Sequence, residues 1–81
     1  MKSWIRFEEQ PIPPGQKTKR WLVETEDGNL TLGTVKWYGA WRCYSFFPSP
    51  ATLFEQQCLR DIADFVAKAT AEHKSARLDK L

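Results

Sequence analysis

Apolar and polar residues alternate over residues 3–9, SWIRFEE. Ile5 and Phe7 fall on one side and Trp4, Arg6 and Glu8 on the other, which predicts a first strand. Pro11, Pro13, Pro14 and Gly15 end it, because proline cannot donate to a strand ladder. The stretch RWLVETEDGNLTLGTVKWY predicts a hairpin. Trp21, Leu22, Val23 and Thr25 favour extended chain, and Asp27-Gly28 supplies a turn whose central residues tolerate positive φ. The next strand is expected over residues 30–38. Gly33 inside it marks a bulge or a close backbone approach. Gly39-Ala40 fits a two-residue type II′ turn, followed by a strand over residues 41–47 that Pro48, Ser49 and Pro50 stop.

The periodicity then changes. Thr52 and Glu55 match the T-x-x-E capping box that opens helices. Phe54, Cys58, Ile62, Phe65, Val66 and Ala69 recur at helical spacing, with Leu59 widening the stripe. Gln56, Arg60, Asp64 and Lys68 fall on the opposite side. A helix is expected to start within two residues of Thr52 and to reach about Thr70. Residues 71–81 form a polar tail that could extend it with frayed turns. The predicted class is α+β: a small antiparallel sheet of three or four strands, β-β-β-α or β-β-β-β-α, with one C-terminal helix on one face. All 81 residues make one domain, with a Pro-rich, basic loop over residues 10–20.

A two-residue turn at Gly39-Ala40 sets Tyr38 opposite Trp41, Trp37 opposite Arg42 and Val35 opposite Tyr44. One face then holds Val35, Trp37, Arg42, Tyr44 and Phe46. The other holds Thr34, Lys36, Tyr38, Trp41, Cys43, Ser45 and Phe47. The first is the more apolar and is expected under the helix. A three-residue turn would reverse the third strand and bury Trp41 with Cys43 instead. On the solvent side Lys36, Tyr38 and Trp41 have the composition of a recognition patch, with Arg42 at the turn beside them.

Composition narrows the function classes. Aromatic residues make up 14% of the chain, so they supply much of the buried area. The net charge is +2, and neither half of the chain is a basic arm, which argues against nucleic acid as the main partner. Lys17, Lys19 and Arg20 read as a solvated loop. No run approaches the length of a membrane span, and residues 1–15 lack a signal peptide's apolar core, so the expected location is the cytosol, for instance of a bacterium or of an infected host. Cys43 and Cys58 are too few for a disulfide scaffold and have no second pair for zinc. His73, in the weakly patterned tail, has no partners for acid–base work. Glu24, Glu26 and Asp27 crowd a turn open to water. The chain therefore reads as a non-enzyme, with no catalytic residues, cofactor or metal.

Residues 32–65, LGTVKWYGAWRCYSFFPSPATLFEQQCLRDIADF, resemble a pattern in small phage and prophage proteins: LGx(V/I)xWYGxWRxYxFFP, then an apolar helix carrying CLxDI. The resemblance covers a little under half the chain. It implies kinship with proteins that have no assigned activity, so it transfers no catalytic or ligand residue. The element order is also similar to plant ethylene-response-type and integrase arm-type DNA-binding domains, which lay a three-stranded sheet in the major groove. Here the outer face would offer Lys36, Tyr38 and Trp41, with Arg20 adjacent, but Glu24 and Glu26 would oppose phosphate. The expected function is that of a phage-type accessory protein binding a host or viral protein, for instance to inhibit host machinery or defence, through Lys36, Tyr38, Trp41 and Arg42. The alternatives are a nucleic-acid-binding sheet and a virion component that self-associates through a sheet edge.

Overall fold

The computed structural model describes residues 4–79. Four strands come first: β1 (Ile5–Gln10), β2 (Arg20–Thr25), β3 (Thr31–Tyr38) and β4 (Cys43–Pro48). One helix, α1 (Gln56–Asp79), follows. The strands pair antiparallel in chain order, so the four-stranded form of the expected α+β class is the one adopted. Ser3, at the start of the expected first strand, and the last two residues of the tail lie outside the described residues. The helix runs through most of the stretch read as a polar tail.

Alternation sorts the strands as the pattern requires. Ile5, Val23, Val35 and Tyr44 are buried under α1, and Phe7, Trp21, Trp37 and Phe46 pack around them. The helix contributes Cys58, Ile62 and Ala69, flanked by Phe65 and Val66. Ring contacts tie the layers. Phe7 stacks on Phe65 at 4.0 Å, while Trp21 meets Phe65 and Tyr44 edge-on at 5.0 and 5.5 Å. Each such buried side chain is worth roughly 1.5–3 kcal/mol, so the sheet has little choice about which face it covers. Leu59 does not widen the stripe: it is exposed, one position beyond the face that α1 turns to the sheet.

Both hairpin loops are longer than the two-residue turns the spacing predicts. In the first, the Thr25 amide donates to the Leu30 carbonyl at 2.9 Å, leaving residues 26–29 as the loop. Asp27 organises it, its carboxylate accepting from Thr25 Oγ1 at 2.6 Å and from the Asn29 amide at 3.0 Å. Gly28 takes a φ of 78° there. In the second loop, Tyr38 pairs with Cys43, so residues 39–42 form the connection and Trp41 and Arg42 leave the strand. The Trp41 and Arg42 amides donate back to Tyr38 and Gly39, and Arg42 adopts a φ of 52°. The expected pairing would have set Arg42 against Trp37 on the helix side. The observed one sets Tyr44 there, ring edge to ring face at 5.4 Å. Since the register moves by an even number of residues, every strand side chain keeps its expected face.

A bulge separates the Val23–Gly33 and Glu24–Thr31 pairs, and Leu32 is the extra residue. It breaks the alternation and places Leu32 in the core beside Val35. Gly33 is the close approach as well: a Cβ there would lie 2.5 Å from the Phe47 carbonyl oxygen and 2.7 Å from the Phe46 ring.

The helix starts at Gln56, later than Thr52. Glu55 is the capping residue: its Oε1 accepts from the Cys58 amide at 2.6 Å and its carbonyl from the Leu59 amide at 3.0 Å. Thr52 instead donates its hydroxyl to the Ser49 carbonyl at 2.8 Å, holding a connection in which Ala51 has a φ of 59°. Further along, Thr70 reaches the edge of the sheet. The Tyr44 amide of β4 donates to Thr70 Oγ1 at 2.9 Å.

Candidate partner-binding surfaces

The face of the sheet opposite α1 carries a joined aromatic patch. Lys36 and Tyr38 stand on β3 and Phe47 on β4, while Trp41 projects from the 39–42 loop. Tyr38 meets Trp41 at 5.0 Å and 90°, and Phe47 at 6.0 Å. The Lys36 ammonium lies 4.6 Å from the Phe47 ring centroid, within cation–π range. Trp41 is 72% exposed and Tyr38 38%, so these rings are braced against one another without being buried. Leaving an indole in water forgoes its burial energy, and the Trp41 ring rests edge-on against Tyr38.

Arg20 adjoins this patch, paired with Lys36 across β2 and β3. Its guanidinium donates to the Gln16 side chain, while its Nε is buried without a hydrogen-bond partner. At the far end of the same face Arg6 approaches Glu24 at 3.4 Å, so one of the two acids expected to oppose phosphate, Glu24, has a cation beside it. Cys43 is half-buried beside Ser45, whereas Cys58 sits in the core under α1. Both are free thiols. Burial pushes the Cys58 thiol up, with the hydrogen bond to Glu55 adding to the shift. Among the described residues no three His, Cys, Asp or Glu side chains converge as metal ligands would.

The structure brings three of the four expected contact residues together: Lys36, Tyr38 and Trp41. Arg42 is separated from them. It opens on the helix side of the loop, into a depression of about 490 Å³ that it shares with Trp37, Gly39, His73 and Lys74. A second depression, of about 410 Å³, adjoins it at His73 and is lined by Lys17, Lys19, Trp21, Tyr44, Glu72 and the small residues Ala69 and Ala76. The sequence reading passed over these. One signal was available: His73 lies four residues after Ala69 and continues the buried stripe, and its ring sits 4.4 Å from that of Trp37. The placement of Lys17 and Lys19 against the helix had no local signal. Tyr44, between the depressions, has its hydroxyl pKa raised by burial, partly offset by a hydrogen bond from the Lys19 backbone.

The chain is thus a small antiparallel sheet backed by one helix, with an exposed aromatic patch on its free face. No family model and no solved structure matches it. It is 36% identical over 61 residues, 75% of its own length and 78% of the relative's, to an uncharacterized 9.3 kDa protein of Acholeplasma phage L2. The chain belongs to the same family as that phage protein.

Among the described residues no helix is long and apolar enough to cross a membrane.

Proposed function

We propose that this is a non-catalytic phage accessory protein. It works in the cytoplasm of the host cell by binding a host or viral protein through the outer face of its sheet. The observation that carries the reading is Trp41, 72% exposed yet braced at 5.0 Å against Tyr38. A solvent-facing indole beside a tyrosine and a lysine is the composition of an interface anchor, where a Trp often dominates the binding energy. Lys36 and Arg20 give this end of the patch positive charge, which suits a partner surface carrying carboxylates around an apolar pocket.

The test pairs two tryptophan variants in an affinity capture from host lysate, with and without nuclease. Trp41→Ala is expected to change stability by no more than about 0.5 kcal/mol and to abolish capture. Trp37→Ala, on the helix side, is expected to cost about 2–3 kcal/mol, less than full loss of a buried ring because Trp37 is only half-buried. Capture that survives Trp41→Ala removes the surface assignment. Capture abolished by nuclease favours the nucleic-acid reading of the sheet.

A further inference from the structure

β1 is an edge of the sheet, and two hydrogen bonds fix which of its residues face outward. The Trp4 carbonyl accepts from the Glu26 amide at 3.0 Å, while Thr25, the partner of Ile5, turns its amide to Leu30 instead. Bonded positions alternate along an antiparallel pair, so Arg6, Glu8 and Gln10 exchange bonds with Glu24, Leu22 and Arg20. Phe7 and Glu9 therefore aim their amides and carbonyls off the sheet. Proteins commonly guard such an edge with a proline, a bulge or a lysine. Ile5–Gln10 has none of these: its register with β2 is unbroken, and Pro11 comes only after the strand. The charges it carries on the outer face are of both signs. Arg6 and Glu8 stand exposed there, one before Phe7 and one after it. Arg6 leans on Glu24, yet half of its side chain stays in solvent.

We propose that two copies of this chain join β1 to β1, antiparallel, about a two-fold axis at Phe7. The outward backbone groups belong to odd-numbered residues, so only registers that set odd against odd can form bonds. Centred on Arg6, the pairing opposes Arg6 to its own copy. Centred on Glu8, it opposes Glu8 to its own copy. Centred on Phe7, it opposes Arg6 of each copy to Glu8 of the other. Like charges directly opposite destabilise a sheet and unlike charges stabilise it, so the charges select the Phe7 register. The Phe7 rings then meet beside the axis, each stacked on its own Phe65 at 4.0 Å. The axis passes through the sheet, so both outer faces look the same way. Strands about 4.8 Å apart put the two β3 strands about 24 Å from each other, each with its Lys36, Tyr38 and Trp41. A dimeric partner would be gripped at both patches, although the pairing does not depend on that use.

Sedimentation equilibrium of the full chain tests this. A monomer–dimer equilibrium is expected, with a Kd below about 200 µM, the weak end for an interface made by one strand. In a dimer of one labelled and one unlabelled copy, NMR should show an Hα contact between Arg6 of one chain and Glu8 of the other, the short distance of a non-bonded pair. Glu8→Arg should weaken the dimer by about tenfold or more, because the symmetry spoils both charge pairs at once. Arg6→Glu should do the same. An equimolar mixture of the two variants should recover a dimer, since each supplies the charge that the other lacks. If Arg6→Glu lowers the melting temperature, Glu9→Pro takes its place: it removes an outward amide, leaves the bonds to β2 intact and should also abolish the dimer. Trp41→Ala should leave the dimer unchanged, which separates this edge from the protein-binding surface. The proposal is overturned by a chain that stays monomeric at about 500 µM, by a dimer indifferent to Glu8→Arg, or by intermolecular contacts centred on β4 or on Tyr38 and Trp41. A monomeric chain whose Phe7 and Glu9 amides become protected only with a captured host protein also overturns it, and gives the edge to a foreign strand.

Discussion

Glu55 shows how one side chain sets an element's boundary. The T-x-x-E spacing points to Thr52 as the cap, but the Thr52 hydroxyl is committed to the Ser49 carbonyl. Glu55 accepts from the first free amides of α1, and hydrogen bonds from the Gln57 and then the Cys58 backbone hold its carboxyl below the ordinary value of 4.5. Such a carboxylate stabilises the fold only while ionised. Its contribution is complete above 4.5 and disappears as pH falls through the lower folded value. Glu55→Ala should therefore lower the melting temperature at pH 7, and the gap to the parent chain should close as the pH is taken below 4.5. A gap that stays constant across that range would show that the carboxylate is not the cap. Asp27, depressed by its Thr25 and Asn29 hydrogen bonds, adds acid sensitivity of the same sign at the first hairpin.

At the scale of elements, the contacts between strands are tighter than their sequences suggest. Gly33 faces Pro48 across β3 and β4 with backbone and ring within 3 Å of any added Cβ. Gly33→Ala should cost about 1–3 kcal/mol or more, because a backbone carbonyl cannot swing aside as a side chain can. A thermal melt unchanged from the parent would refute the close approach. Thr70 gives a second case. Thr70→Val keeps the shape but strands the Tyr44 amide, at an expected cost of about 1–3 kcal/mol, whereas Thr70→Ser should restore most of it. Chemical denaturation of the pair decides this. The elements themselves were legible, since periods of 2 and 3.6 follow directly from which faces are buried. Both loop lengths were not. One depends on an aspartate accepting two hydrogen bonds, the other on Arg42 adopting positive φ, and neither leaves a periodic trace. The outer patch could be read because its parity survived an even slip in register. The depressions beside His73 could not, because the residues that line them are far apart in the chain.

Across the whole molecule the charges are unevenly placed, although each end also carries some of the opposite sign. Lys17 and Lys19 line one depression beside His73, with Glu72, and Arg42 and Lys74 line the other, while Arg20 and Lys36 stand side by side on the other face of the sheet. Glu26 and Asp27 occupy the opposite hairpin, and Glu55, Asp61 and Asp64 lie in the first half of the helical region. A protein with this layout has an electrical direction, and an anionic partner is oriented by it before contact. The threonine clip bears on another whole-molecule property. In an antiparallel strand, alternate residues point their amides away from the neighbour. On β4 those residues are Tyr44, Phe46 and Pro48. The first amide is taken by Thr70 and the last does not exist, which leaves Phe46 alone able to donate to an incoming strand. Among the described residues the β4 edge is therefore the poorer template for an incoming strand, and the β1 edge keeps more of its donors. Two copies meeting at β1 would use up each other's better edge, so the contact that docks the helix also works against open ribbons of strands.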